Sequence, residues 1–165
     1  MQKLRRIVLV RLMVLLSIAL GAAPAQAGRF LEATLGCTDK VCVVGDNMGG
    51  DLQNYLGAAR EAQREHTQIV IDGWCVSACS LVADKVRPHV CITSNAQFGF
   101  HKTWDLIIRS DGQEFYSPGR HRKLIYTHAL QRWIDKKGGE PARGLLVMSN
   151  QEAGAFWPRC PASLN

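Results

Sequence analysis

The chain has 165 residues, with 20 Lys and Arg against 14 Asp and Glu and a formal charge of +6. Four of those bases (Lys3, Arg5, Arg6 and Arg11) stand in the first eleven residues, so the rest is close to neutral and lacks the basic excess of a nucleic-acid-binding domain. The length allows one hydrophobic core and excludes a second domain after a leader.

From the amino terminus, the basic start is followed by an uncharged apolar run, Leu12 to Ala23, and then by Ala25-Gln26-Ala27. This is the pattern of a secretory signal with cleavage after Ala27. The run is short of the ~20 apolar residues of a membrane span, and an uncleaved anchor starting at Ile7 would carry Arg11 inside it. The expectation is a leader over residues 1–27, a single domain over residues 28–165, a periplasmic or secreted location and no stable membrane span after cleavage.

In the mature part, Phe30 to Leu35 and Val41 to Val44 read as strands. Gly45 to Gly50 is a polar turn, and Leu52, Tyr55, Leu56, Ala59 and Ala62 then fall at helical spacing up to about Glu65. Ile69-Val70-Ile71 is a buried type of strand, and Gly73 permits a sharp turn after it. A helix is expected from near Ser77 to about Lys85, strands at Val90 to Ile92 and Phe98 to His101, and a hairpin over Trp104 to Tyr116 turning at Ser110-Asp111-Gly112. A long helix follows from about Arg120 to Lys137, stopped by Gly138-Gly139, and Ala142 to Trp157 reads as one or two short helices. The alternation of apolar strands and helices makes this an α/β domain.

All six cysteines lie in the mature part, and an even number in an exported chain favours disulfides. Cys37 and Cys42 are the first pair expected, since they close a short loop. Cys75 and Cys79 can bond to each other or separately to Cys91 and Cys160. The spacings do not match the C-x-x-C of zinc or thioredoxin-type sites, and no phosphate-cradling glycine motif occurs, so neither a metal nor another cofactor is expected.

Three features carry the chemistry. Ser77 stands where a buried strand feeds a helix start, whose unpaired N–H groups favour an anion, although a serine there also serves as an ordinary N-cap. Asp46-Asn47-Met48-Gly49-Gly50 is a second turn able to offer backbone N–H groups to a carbonyl oxygen, or simply a turn. His101 ends the strand after the serine helix and is a candidate base for the Ser77 hydroxyl, or a strand-end histidine satisfied by backbone.

The order of these parts, with Gly73-Trp74-Cys75-Val76-Ser77-Ala78-Cys79 followed by Gly99-Phe100-His101, resembles the proteolytic subunit of Clp proteases. More narrowly it resembles periplasmic Clp-like proteins, within the Clp/crotonase-like class, over about residues 43–102. The resemblance implies a small β-β-α spiral and a serine hydrolase. In it Ser77 is the nucleophile, His101 the general base, and the N–H groups of Gly50 and Ala78 the oxyanion hole. A peptide or protein substrate would lie as an added strand beside the glycine turn. The family's acid falls near Gly144-Leu145-Leu146, where no carboxylate stands; Asn150 is the candidate to orient the imidazole instead, and Asp105 is too close along an extended chain. Two other readings stay open: a non-catalytic binding or assembly module on the same fold, and a thiol-disulfide protein using Cys75 and Cys79. Self-association is left open.

Overall fold

A computed structural model describes residues 29–118 and 124–164. The expected leader, residues 1–27, lies outside them. Two three-stranded sheets organise the domain. In the first, β1 (Val41–Val44), β2 (Gln68–Ile71) and β4 (Val90–Ile92) run parallel in the order β1-β2-β4. In the second, β3 (Trp74–Val76) is parallel to β5 (Gln97–Phe100), and β8 (Leu146–Met148) is antiparallel to β5 on its other side.

The chain passes repeatedly from the first sheet to the second and then into a helix. After β1, Asn47 bridges Cys75 on the free edge of β3, and α2 (Leu52–Glu65) follows. After β2 and β3 comes α3 (Ala78–Lys85). After β4 and β5, the hairpin β6 (Trp104–Ile108) and β7 (Glu114–Pro118) precedes α4 (His128–Lys136). The architecture is a small α/β domain. Its core includes Ile69, Ile71, Ile92, Phe98, Phe100, Leu130, Ile134 and Trp157, each at most 1 % exposed, and a smaller cluster of Val70, Cys91 and Cys160 covers the other face of the first sheet. Burial of that apolar surface is the main stabilising contribution.

Three expected elements differ. Phe30 to Leu35 belongs to a helix, α1 (Arg29–Leu35), not a strand, with Leu31 and Leu35 buried four residues apart. Its first-turn N–H groups find their acceptor in a distant side chain, since Phe30 N and Leu31 N donate to Glu61 Oε2 at 3.0 and 3.1 Å. The long helix starts at His128 rather than near Arg120. Residues 119–123 lie outside the described part, and Leu124 and Tyr126 are buried while Ile125 is 74 % exposed, an alternation that helix cannot give. The tail contains a strand, β8, before the short helix α5 (Asn150–Ala153). Three residues are too few to show a period, and β8 exists because β5 offers it an edge.

The cysteines pair as Cys37–Cys42, Cys75–Cys79 and Cys91–Cys160, with none free among the described residues. Cys91–Cys160 fastens the carboxyl-terminal segment beside β4, where Ile92 N donates to Pro158 O and Cys160 N to Ile92 O. Three bonded pairs are consistent with an oxidising extracellular or periplasmic setting. Among the described residues no helix is long and apolar enough to cross a membrane.

Candidate functional site

Ser77 is the first residue beyond β3 and occupies the N-cap position of α3, yet its hydroxyl makes no capping hydrogen bond. Its backbone lies at φ 57° and ψ −119°, a conformation that side-chain-bearing residues rarely hold. Such a turn persists only when its surroundings over-determine it. Ser77 N donates to Gly99 O at 2.8 Å, and Ser77 O accepts from Ser80 Oγ at 2.6 Å and Leu81 N at 3.3 Å. The Cys75–Cys79 disulfide bridges the residues on either side. The serine is half-buried, so its hydroxyl is neither sealed in the core nor spent on the helix end.

The glycine turn packs directly on this serine. A Cβ built on Gly49 would lie 2.9 Å from Ser77 Cβ and 2.9 Å from Ala78 N, so only glycine fits there, and its φ of 81° makes the same demand. The turn is held by Asn47, whose Oδ1 accepts from Gly49 N at 3.0 Å and Tyr55 Oη at 2.8 Å, while its Nδ2 donates to Thr34 O at 2.8 Å. Burial raises the Tyr55 pKa, so the phenol remains a donor to Asn47. Asn47 N and O also bond Trp74 O and Val76 N, at 2.6 and 2.9 Å, which ties the turn alongside β3. Gly50 N–H donates to no acceptor among the described residues, and Ala78 N–H, at the first position of α3, has no intrahelical acceptor. The two turns read from sequence thus pack on each other, Gly49 against Ser77 and Ala78 N.

His101 follows β5. The register sets Val76 opposite Gly99, so Ser77 and His101 leave neighbouring parallel strands at the same end, one residue out of step. They share no hydrogen bond. Nδ1 of His101 lies 2.6 Å from Lys102 O and 3.1 Å from Trp104 Nε1. These contacts ask for opposite tautomers. A carbonyl can only accept, and it is the nearer partner, so we place the proton on Nδ1, which leaves Nε2 with a lone pair.

Asn150, expected to orient His101, does not reach it. Its Nδ2 donates to Thr93 O and Ala96 O at 2.7 and 3.0 Å, just before β5 begins, and Arg159 Nη1 donates to its Oδ1. It thus sits at the opposite end of β5 from His101. There it lines a polar depression of about 470 Å³ with Asp46, Asp72, Trp74, Asn95 and Gln97, which neither Ser77 nor His101 lines. Asp105 is exposed on β6. The loop after α4 returns to the His101 end of β5, where Pro141 O accepts from Lys102 N at 3.0 Å, and Oε1 of the preceding Glu140 is buried. Sequence reasoning missed this return, since a backbone hydrogen bond between Lys102 and Pro141 leaves no mark in the residue pattern. Among the described residues no His, Cys, Asp and Glu cluster is placed to hold a metal ion.

Comparison of the chain with protein-family models, with curated proteins and with solved structures finds no match in any of the three. What the site can do therefore rests on its own geometry.

Proposed function

We propose that the protein is an exported serine hydrolase of Clp/crotonase-like type acting on peptide or related acyl bonds. The observation that carries this reading is the Ser77 backbone: a serine held at positive φ between a strand and a helix, with its hydroxyl unspent. Strain of this kind costs about 1–3 kcal/mol and is found where a side chain must be aimed. The recurring order of strand, strand and helix, with matching strand order in the two sheets, supports the proposed β-β-α spiral.

In this mechanism Ser77 Oγ attacks the acyl carbon while its proton passes to His101 Nε2. The developing oxyanion accepts from Gly50 N–H and Ala78 N–H, at the positive end of α3. His101 then gives the proton to the leaving group as the acyl bond breaks, and water releases the acyl-serine by the same route. The Lys102 carbonyl fixes the required tautomer through Nδ1–H. A peptide would pair along the exposed glycine turn.

The test is labelling of the complete, oxidised protein with a fluorophosphonate probe. The wild type is expected to label and Ser77→Ala not at all, with His101→Ala slower by roughly 10³-fold or more. An unlabelled wild type would count decisively against a hydrolase. A second reading, a non-catalytic binding module, is favoured by the missing Ser77–His101 hydrogen bond; it expects Ser77→Ala to retain the protein's cellular phenotype, and loss of that phenotype removes it.

A further inference from the structure

The Cys75–Cys79 disulfide has a place in the fold that the other two lack. Cys75 is the middle residue of β3, bridged by Asn47 on one side and paired with Phe98 on the other, and Cys79 is the second residue of α3. Both are at most 1 % exposed, and their Cα atoms are 5.2 Å apart. The bond closes a ring of five residues whose middle member is Ser77. The hydrogen bonds on Ser77 run to Gly99, Ser80 and Leu81; the disulfide is a second covalent link, besides the main chain through Ser77, from the strand before the serine to the helix after it. Cys37–Cys42 closes a loop before β1, and Cys91–Cys160 fastens the carboxyl-terminal segment, so neither spans the serine turn.

We infer that Cys75 and Cys79 are positioning residues whose disulfide locks the Ser77 turn, so that the nucleophile is aimed only in the oxidised chain. The inference rests on reading Ser77 as a nucleophile, and it gives that site a regulation: the protein is latent while its thiols are reduced and gains activity on reaching an oxidising compartment. Forming the bond removes two electrons and two protons from the two thiols. A disulfide-bearing exchange partner takes them and leaves as a dithiol. Without the bond, the positive φ is held by the packing of Gly49 and by hydrogen bonds that a relaxed turn can exchange for others.

A purely stabilising role makes the opposite ranking. A bond closing a loop over a sequence separation of 69 constrains the unfolded chain more than one of separation 4, so loss of Cys91–Cys160 should then cost the more. The experiment compares Cys75→Ser/Cys79→Ser with Cys91→Ser/Cys160→Ser in the complete protein, measuring the maximal rate and the half-saturating concentration of fluorophosphonate inactivation beside the melting temperature. For the first pair we expect a maximal rate lower by about 100-fold, the loss typical of a reacting atom misplaced by an ångström, with half-saturation little changed. For the second pair we expect a larger fall in melting temperature and a maximal rate near wild type. Equal rates in the two pairs, or the larger rate loss in the second, overturn the inference.

Should buried hydroxyls prevent the serine pair from folding, Cys75→Ala/Cys79→Ala takes its place. If that pair is unfolded too, the bond determines the fold and not the site, and the inference fails. If the oxidised wild type does not label, the hydrolase reading fails by itself. The positioning claim is then read from hydrogen exchange of the Ser77 amide, which donates to Gly99. Faster exchange in the first pair but not in the second upholds the lock, and unchanged exchange overturns it.

Discussion

Gly49 packs so closely on Ser77 that an added methyl group would lie 2.9 Å from Ser77 Cβ, 2.7 Å from the Val76 carbonyl oxygen and 2.9 Å from Ala78 N. Two of those neighbours are backbone of the β3–α3 turn, so relief of the clash must move the turn itself. Gly49→Ala is therefore expected to cost about 2–4 kcal/mol in denaturant unfolding and to abolish probe labelling. Gly36→Ala is the control, because Gly36 has a similar φ of 71° with nothing within 4 Å of the added carbon. It should cost only the left-handed penalty, about 1 kcal/mol. Equal losses in the two variants would mean that the contact with Ser77 has no energetic weight.

Stability and activity should part company at position 77. Glycine holds φ 57° without a side-chain clash, so Ser77→Gly removes strain but adds freedom to the unfolded chain, and a net gain of about 1 kcal/mol is expected. Ser77→Ala keeps both the Cβ and the strain, and since the hydroxyl makes no capping bond, its stability should stay within about 0.5 kcal/mol of the wild type. Neither variant should label. Melting curves that rank alanine well above glycine would show that this backbone is relaxed.

What could be read from the sequence was what is decided locally. The Ile69-Val70-Ile71 run, the spacing of Tyr55, Ala59 and Ala62, and the turn at Ser110-Asp111-Gly112 each signal their element within a few residues, and each forms where expected. Gly49 and Ser77 could be singled out for the same reason, as glycine and serine at strand-to-helix turns. What could not be read depends on distant partners. The α1 helix needs a carboxylate thirty residues away, at Glu61. The late start of α4 depends on Asp84, and the position of Asn150 on carbonyls at Thr93 and Ala96. A pattern in one stretch of chain holds no record of such acceptors.

Asp84 is the strongest of these distant anchors. It is 2 % exposed near the end of α3; Oδ2 accepts from Thr127 N at 2.7 Å, and Oδ1 accepts from Thr127 Oγ1 at 2.9 Å and from Arg87 Nη2. Thr127 is the N-cap residue of α4, so one carboxylate joins the two helices. Arg87 is held in turn over Phe156 and Trp157, 5.7 and 5.5 Å from the ring centroids. Asp84→Ala takes the carboxylate from the Arg87 guanidinium, which keeps only the neutral Thr127 Oγ1 at 2.9 Å among the described residues, and the acceptor from Thr127 N–H, and should cost about 3–5 kcal/mol. Asp84→Asn keeps the shape and one acceptor oxygen, so it should cost roughly half as much. A loss below about 1 kcal/mol for the alanine variant, measured by urea unfolding, would refute the anchoring role.

Acid sensitivity should trace in part to Glu152. Lys137 Nζ lies 2.8 Å from Oε1, and Ser149 N and Oγ donate to Oε2 at 3.0 and 2.9 Å, completing a capping box at the start of α5. The Lys137 ammonium is the larger influence, followed by the Ser149 donors, and together they lower the carboxyl from 4.5 to about 2. A carboxyl whose folded pKa is depressed binds protons more readily in the unfolded chain. It therefore contributes stability above the unfolded value of about 4.3 and loses it as pH falls toward the folded one. Glu152→Gln should accordingly melt below the wild type near neutrality, with the gap closing between pH 4.5 and about 2. Because Glu152 and Lys137 are both partly exposed, salt should narrow the gap at neutral pH as well. A difference in melting temperature that stays constant across the acid range would assign the effect to the amide's own packing and not to the carboxylate charge.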